Sequence, residues 1–543
     1  MQKERDIREE YVGAPDEARG GRDYITWCLL AAGALLLRVS FLGSRMVLSG
    51  DEVHYAESLH WFLKGRIMEG VSDYWSFFYP LLAVPLGWIY GSAEPALRLL
   101  SIIAGTALIV PAMSIAGRLW GRRAALFAGV LIALHPNLIE YSTAAMTEPL
   151  YSLLLVSATA LMLRFMELGD MRSLVALGVV LGLSYTTRQE AQLIAAIVIF
   201  IILLGRGGGG LGAPFKRRIL NASLVLVLFL GVITPYMMLV HRKTGKWTGT
   251  KASVNLSSKL VWDEGMSRER YVYGLNDEGT QRRIVETGRK SAAAILWSRR
   301  GEVASGYFTN LNRGVVLFPI LLSSPFMLLL VPLGIFGRRW KVSGRGSEMF
   351  LLVMGAFPLV LYSIFRVEFR YLVPLLPVYL MWGAVGCTVI TDWFAGNISR
   401  RPVFGLALLL VVFLSLVPFT IRRHSAVSAT QKVKYREIGT WMKDNGIGDD
   451  RLLAHSGCPV SYYAGNPEAT FIPWTDLDGL LDFARRAGYG YLLVDEAYFI
   501  DYRPQLAAGV VGASSIEGLT KVNTFTSRSG GRIVLFRVDR GSR

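Results

Sequence analysis

Two adjacent carboxylates, Asp51 and Glu52, open the stretch Asp51-Glu52-Val53-His54-Tyr55-Ala56-Glu57, directly after a long apolar run. Three later stretches carry charge between apolar runs: Glu148 in Thr147-Glu148-Pro149-Leu150, Arg188 and Glu190 in Thr187-Arg188-Gln189-Glu190, and Arg366, Glu368 and Arg370 just before Tyr371. Carboxylates beside guanidinium groups make an anion site next to a base. A guanidinium grips phosphate through paired hydrogen bonds and keeps its charge when partly desolvated. A carboxylate nearby can take a proton from a hydroxyl. Asp51, Glu52 and Glu148 are the candidates for acid–base work. Arg188, Arg366 and Arg370 are the candidates for phosphate, with Tyr55, Glu57, Glu190, Glu368 and Tyr371 in support.

Each residue has a plainer reading. Glu148 could simply meet the positive end of its own helix. Arg188 and Glu190 could pair with each other, and the three charges at 366–370 could anchor interfacial helix ends. His54, His60 and Glu57 lie within two helical turns of the acid pair and could bind a divalent cation, although three such groups on a surface helix are more often just polar. No other cofactor is indicated.

The elements that must position these residues are membrane helices. Of 543 residues, 52% are hydrophobic and only 18% charged, too few charges to cover a water-soluble surface. A bilayer core needs about 20 apolar residues per helix, and about eleven spans, give or take two, are expected here. Residues 25–48 read as a retained signal anchor that leaves the acid pair at the far surface. Further apolar runs cover residues 96–116, 150–165, 193–204, 220–240, 315–336, 350–365, 372–390 and 403–421. Arg38 lies in the middle of the first run and either snorkels or faces the bundle interior.

The net charge of +17 has a membrane explanation. Lys and Arg cluster in the N-terminal tail and near residues 118–123, 206–218, 338–345 and 400–401, all on one side if the spans alternate. That predicts a cytoplasmic tail (1–24), a membrane domain (25–421) and a plasma-membrane location. The interleaving of basic and aromatic residues expected of a nucleic-acid surface is missing. The three cysteines form neither a disulfide framework nor a metal motif.

On this topology the charged turns share the extracytoplasmic face. The first outer loop (49–94) is rich in Trp, Tyr and Phe, which suits short helices at a membrane interface. A long polar segment (241–313) could cover the site. Residues 422–543 alternate helical and strand patterns, with strands expected near 451–455, 491–494 and 532–538, and read as a small extracytoplasmic α/β domain.

Four motifs resemble those of the polytopic GT-C glycosyltransferases, in particular family 39-like relatives of protein O-mannosyltransferases and of the aminoarabinose transferase of lipid A. They are Gly50-Asp51-Glu52 with Tyr55-Ala56-Glu57, Thr147-Glu148-Pro149-Leu150, Leu183-Ser184-Tyr185-Thr186-Thr187-Arg188-Gln189-Glu190, and Phe369-Arg370-Tyr371-Leu372-Val373-Pro374. The resemblance covers residues 20–421. It implies a GT-C fold, a polyprenyl-phosphate sugar donor, and inverting transfer to a hydroxyl on a glycan, lipid or protein acceptor. It also implies that Asp51 is the base, that Glu148 is the second acid where some members have Asp, and that Arg188, Arg370 and Arg366 lie near the lipid phosphate. The competing class is a lipid or saccharide transporter, which would show duplicated halves and interrupted helices with charge near the midplane.

Overall fold

The computed structural model describes residues 17–205, 209–245, 247, 273–275, 292–340, 345–364, 367–397, 403–430, 433–448, 450–455, 458–466, 471–513, 515–526 and 531–539. Arg366 and most of the segment 241–313 lie outside these residues.

Seven of the described helices are long and apolar enough to cross a membrane: Ile25–Ser44, Ala93–Trp120, Glu148–Leu168, Phe215–Thr244, Arg345–Tyr362, Phe369–Asn397 and Leu410–Ser428. Two bent pairs raise the number to as many as nine, and Met171–Thr187 and Ala191–Leu204 are shorter apolar helices. Burial orders them from rim to centre. The first span is 11% buried, so its Leu29 and Leu36 face outward, whereas Phe369–Asn397 is 78% buried and runs through the core. Small residues let that central helix approach its neighbour. A Cβ at Gly386 would sit 2.1 Å from the carbonyl oxygen of Leu330, so a side chain there would push the two helices apart.

The apolar run 315–336 is broken rather than continuous. Arg300–Leu322 ends at Ser323, which has a positive φ of 57°, and Pro325–Phe336 leaves at 108°. Pro325 has no N–H to give and restricts the residue before it, so the helix cannot continue through this point. The break frees carbonyls that hydrocarbon cannot satisfy. Asn137 donates to the Leu321 carbonyl (2.7 Å), and the His135 ring lies 3.3 Å from that of Leu322. Both donors sit at a second bend, 57° between Arg122–Leu134 and Pro136–Ser142. Glu140 lies in the helix Pro136–Ser142 that follows this bend.

Arg38 faces the interior. It is fully buried and caps the same second bend, donating to the carbonyls of Ile132 (3.3 Å) and Ala133 (3.4 Å) and to the Ser142 hydroxyl. A cation suits the negative end of the helix Arg122–Leu134.

Outside the bundle, the first loop holds the helices Asp51–Leu63, Ile67–Gly70, Phe78–Leu82 and Val84–Tyr90. Among the described residues, the C-terminal domain has one sheet of four strands, β1 (Leu452–Leu453), β2 (Tyr491–Asp495), β3 (Leu519–Thr526) and β4 (Arg532–Val538), in the order β1-β2-β4-β3. β1 and β2 are parallel, and the other pairs are antiparallel, with Leu493 opposite Leu535 and Lys521 opposite Phe536. Strand alternation splits the buried residues between two faces. Leu492, Val494, Val534 and Phe536 meet the helix Leu477–Arg486, while Leu493, Ile533 and Leu535 meet Lys434–Asp444. The pattern does not announce β3, an edge strand whose residues 520–522 are exposed.

Candidate active site

The acids of the site and Arg188 stand at helix ends of matching sign, whereas Arg370 lies at the N-terminal end of the span Phe369–Asn397. Asp51 and Glu52 start the helix Asp51–Leu63, and Glu148 starts Glu148–Leu168 with Pro149 in its first turn. Arg188 closes Met171–Thr187, and Arg370 lies in the short helix Phe369–Leu372. Acids at N-termini and a cation at a C-terminus gain from the helix dipoles, which offsets part of the desolvation of these groups. Glu148 thus stands in the first turn of its own helix, which does not exclude a contact to substrate. Gly50 makes the entry to the acid helix. Its φ of 55° with ψ of −122° is reached readily only without a Cβ.

The four turns converge. Asp51 is ion-paired with Nη1 of Arg370, whose Nε also donates to Glu368 (3.1 Å). Glu148 Oε1 accepts from Nη1 of Arg188 (2.8 Å), and Nη2 of the same guanidinium reaches Glu190 at 3.5 Å. Tyr371 joins the two pairs, because its ring centre lies 5.3 Å from the guanidinium carbons of both Arg188 and Arg370. Tyr151 presents a second ring to Arg188 at 5.7 Å. Aromatic faces hold cations in place without neutralising them.

The two ion pairs differ in exposure. The side chains of Glu148 and Arg188 are 0% and 6% exposed, and those of Asp51 and Arg370 are 21% and 28%. Glu148 Oε2 is buried and makes no hydrogen bond among the described residues. An ionised carboxylate oxygen in that state is expensive unless something donates to it. It is an acceptor position inside the site.

Glu52 behaves differently from its neighbour. One of its oxygens accepts from the N–H (3.0 Å) and hydroxyl (3.3 Å) of Ser49, and the other accepts from the Ala145 N–H (2.8 Å). Both oxygens are engaged, so Glu52 ties the acid helix to the turn before Glu148. Tyr55 is buried edge-on against Trp75 and Tyr79. Burial, then the nearby Asp51 and Glu148 charges, push its hydroxyl up, so it stays protonated. Glu57 pairs with His54 (3.1 Å), which stacks on Trp75, and burial followed by Lys64 lowers the His60 pKa. Among the described residues no three His, Cys, Asp or Glu side chains gather in a metal-holding group. The expectation for Arg366 falls on a residue outside those described.

A layer that motif reading missed lies behind Arg370. Glu140 is paired with both Arg45 and Arg423, and Arg423 lies over the ring of Phe369 at 4.9 Å. These residues come from three distant ends of apolar runs, and nothing in their local spacing joins them.

A family profile described as dolichyl-phosphate-mannose-protein mannosyltransferase matches residues 81–239, which include Glu148, Arg188 and Glu190. The chain is similar in structure to ArnT from Cupriavidus metallidurans, solved with bound undecaprenyl phosphate (TM-score 0.57, 15% identity, 94% of this chain and 97% of that one). It is also similar to the archaeal oligosaccharyltransferase AglB from Archaeoglobus fulgidus, solved with an inhibitory peptide and a dolichol-phosphate (TM-score 0.60, 13% identity, 95% and 74%). No curated sequence matches. At such identity the shared property is the fold, and the architecture is that of the GT-C glycosyltransferases, as the four motifs led one to expect.

Proposed function

We propose that this GT-C membrane protein transfers a sugar from a polyprenyl-phosphate donor to an acceptor hydroxyl, with Asp51 as the base. The observation that carries this reading is the convergence of Asp51–Arg370 and Glu148–Arg188 on the Tyr371 ring. That arrangement sets two guanidiniums and two carboxylates around one small volume. The bound undecaprenyl and dolichol phosphates of the two structural relatives support a lipid phosphate as the anion.

The acceptor hydroxyl gives its proton to Asp51 as its oxygen forms a bond to the anomeric carbon. The bond from that carbon to the phosphate oxygen breaks on the opposite face, and its electron pair leaves with the lipid phosphate. Inversion follows from this single displacement. Arg370 and Arg188 face the charge that develops on the phosphate, where fixed donors in a poorly hydrated site are most effective. Glu148 keeps Arg188 oriented and offers Oε2 to a sugar hydroxyl. Glu52 is a positioning residue. The active face is the extracytoplasmic one, with a cytoplasmic N-terminus, in keeping with the basic clusters at the opposite helix ends.

The two interrupted helices are a feature shared with transporters. Here their freed carbonyls are taken by Arg38, His135 and Asn137, which fills the breaks instead of leaving them open to a solute. The purified chain, given dolichyl phosphate mannose or undecaprenyl-phosphate aminoarabinose with an envelope extract as acceptor, should release free polyprenyl phosphate. Lipid translocation without such release would assign it to the transporter class.

A further inference from the structure

The C-terminal domain meets the approach to the site at the six residues that lead into Asp51 and at Glu94 of the first loop. Residues 45–50 join the first span to the acid helix without regular structure, so their backbone groups need partners from elsewhere. Nη1 of Arg436 donates to the Met46 carbonyl (2.7 Å). The Leu48 N–H donates to the Tyr463 hydroxyl (3.0 Å), and that hydroxyl donates to Glu94 Oε2 (3.0 Å). Glu94 also receives Nη2 of Arg436 (3.1 Å), and its own N–H donates to the Tyr462 hydroxyl (3.2 Å). Arg98 completes the knot, pairing with Glu94 Oε1 (2.7 Å) and donating to the Arg45 carbonyl.

Glu94 and Leu48 are buried, and Arg436 stacks its guanidinium 4.9 Å from the Tyr463 ring. The same domain holds a piece of the long segment. The Trp474 N–H donates to the Tyr273 carbonyl (2.8 Å), and Arg503 lies 4.8 Å from the Tyr273 ring.

We propose that the C-terminal domain is a positioning device for the catalytic base, acting through Tyr463 and Arg436 on residues 46–48 so that Asp51 is held at the reacting hydroxyl. This rests on the reading of Asp51 given above. The hydroxyl of Tyr463 is the central joint, because it accepts from the segment before Asp51 and donates to the first-loop acid Glu94 at once. Removing it leaves a buried N–H without its acceptor and unlocks Leu48, three residues from the base.

The test is Tyr463→Phe in the full-length protein in nanodiscs, with Arg436→Gln as a second variant. Hydrogen exchange of peptides covering residues 45–63 should rise about five- to tenfold, in line with one lost hydrogen bond, while peptides from 477–538 stay unchanged. Polyprenyl phosphate release per folded molecule should fall about tenfold at unchanged KM for the donor, the pattern of a lost transition-state contact. The ratio of transfer to hydrolysis should fall as well, which a mere reduction in folded protein would not change. Unchanged exchange at 45–63, or wild-type turnover and partition in Tyr463→Phe, would overturn the proposal. If the wild-type chain releases no polyprenyl phosphate, the transferase reading fails, and with it the catalytic half of this one. The exchange result then decides whether the domain fixes the segment at all.

Discussion

The two ion pairs of the site use the same chemistry and live in different surroundings. Glu148–Arg188 is sealed among helices and aromatic rings, and Asp51–Arg370 opens partly to solvent at the mouth of the bundle. A sealed pair is held by the high penalty for leaving either charge alone. A half-open pair is worth little on its own, since water competes for both partners. The inner pair therefore serves as a fixed frame, and the outer pair can exchange partners when substrate arrives. That division would suit the base role proposed for Asp51, which requires it to release Arg370 to a phosphate and accept a proton.

Substitutions can break or sharpen this contrast. Asp51→Asn should give the largest loss of turnover, about 10²- to 10⁴-fold, with thermal unfolding within about 1 kcal/mol of wild type. Glu148→Gln should do the reverse in kind. It leaves Arg188 buried with Glu190 as its remaining carboxylate partner among the described residues, and thermal unfolding should show destabilisation of up to about 3–5 kcal/mol together with lost activity. If both variants behaved alike in both assays, the frame-and-exchange distinction would be gone.

Arg370→Lys keeps the charge but loses the planar fork that reaches Asp51 and Glu368 together. Affinity for undecaprenyl phosphate, read by titration in detergent, should fall about ten- to a hundredfold, the worth of one charge-assisted hydrogen bond. Tyr371→Leu should have the smallest effect, about 1 kcal/mol of lipid-phosphate binding, because it removes only the aromatic face between the two cations. A loss limited to one of the two arginine sites would show that the ring does not join them.

Charges in this site were legible because hydrocarbon makes them conspicuous. In a chain so rich in apolar residues, Asp51, Glu148, Arg188 and Arg370 stand out at the ends of runs, and their order along the chain matches a known set of motifs. Their partners were not legible. Local spacing pairs Arg188 with Glu190, whereas its shorter bond is to Glu148, forty residues earlier in the chain. Spacing also treats Asp51 and Glu52 as equals, yet successive helix positions point about 100° apart. One acid thus faces Arg370 while the other faces the Ala145 backbone. The break at Ser323 was hidden because Ser and Pro are common enough in apolar helices, and the donors that help make it tolerable, Asn137 and His135, come from another span. β3 was hidden because an edge strand with a solvated face carries no apolar alternation.

The central claim is that Asp51 performs chemistry while the arginines hold the anion, so the two functions should separate in one protein. Turnover and undecaprenyl phosphate affinity of purified Asp51→Asn, measured on the same preparation, test this directly. The account predicts turnover reduced at least about a hundredfold, with affinity equal to or above wild type because Arg370 loses its competing carboxylate. Near-normal turnover, or an affinity that collapses together with turnover, would contradict it.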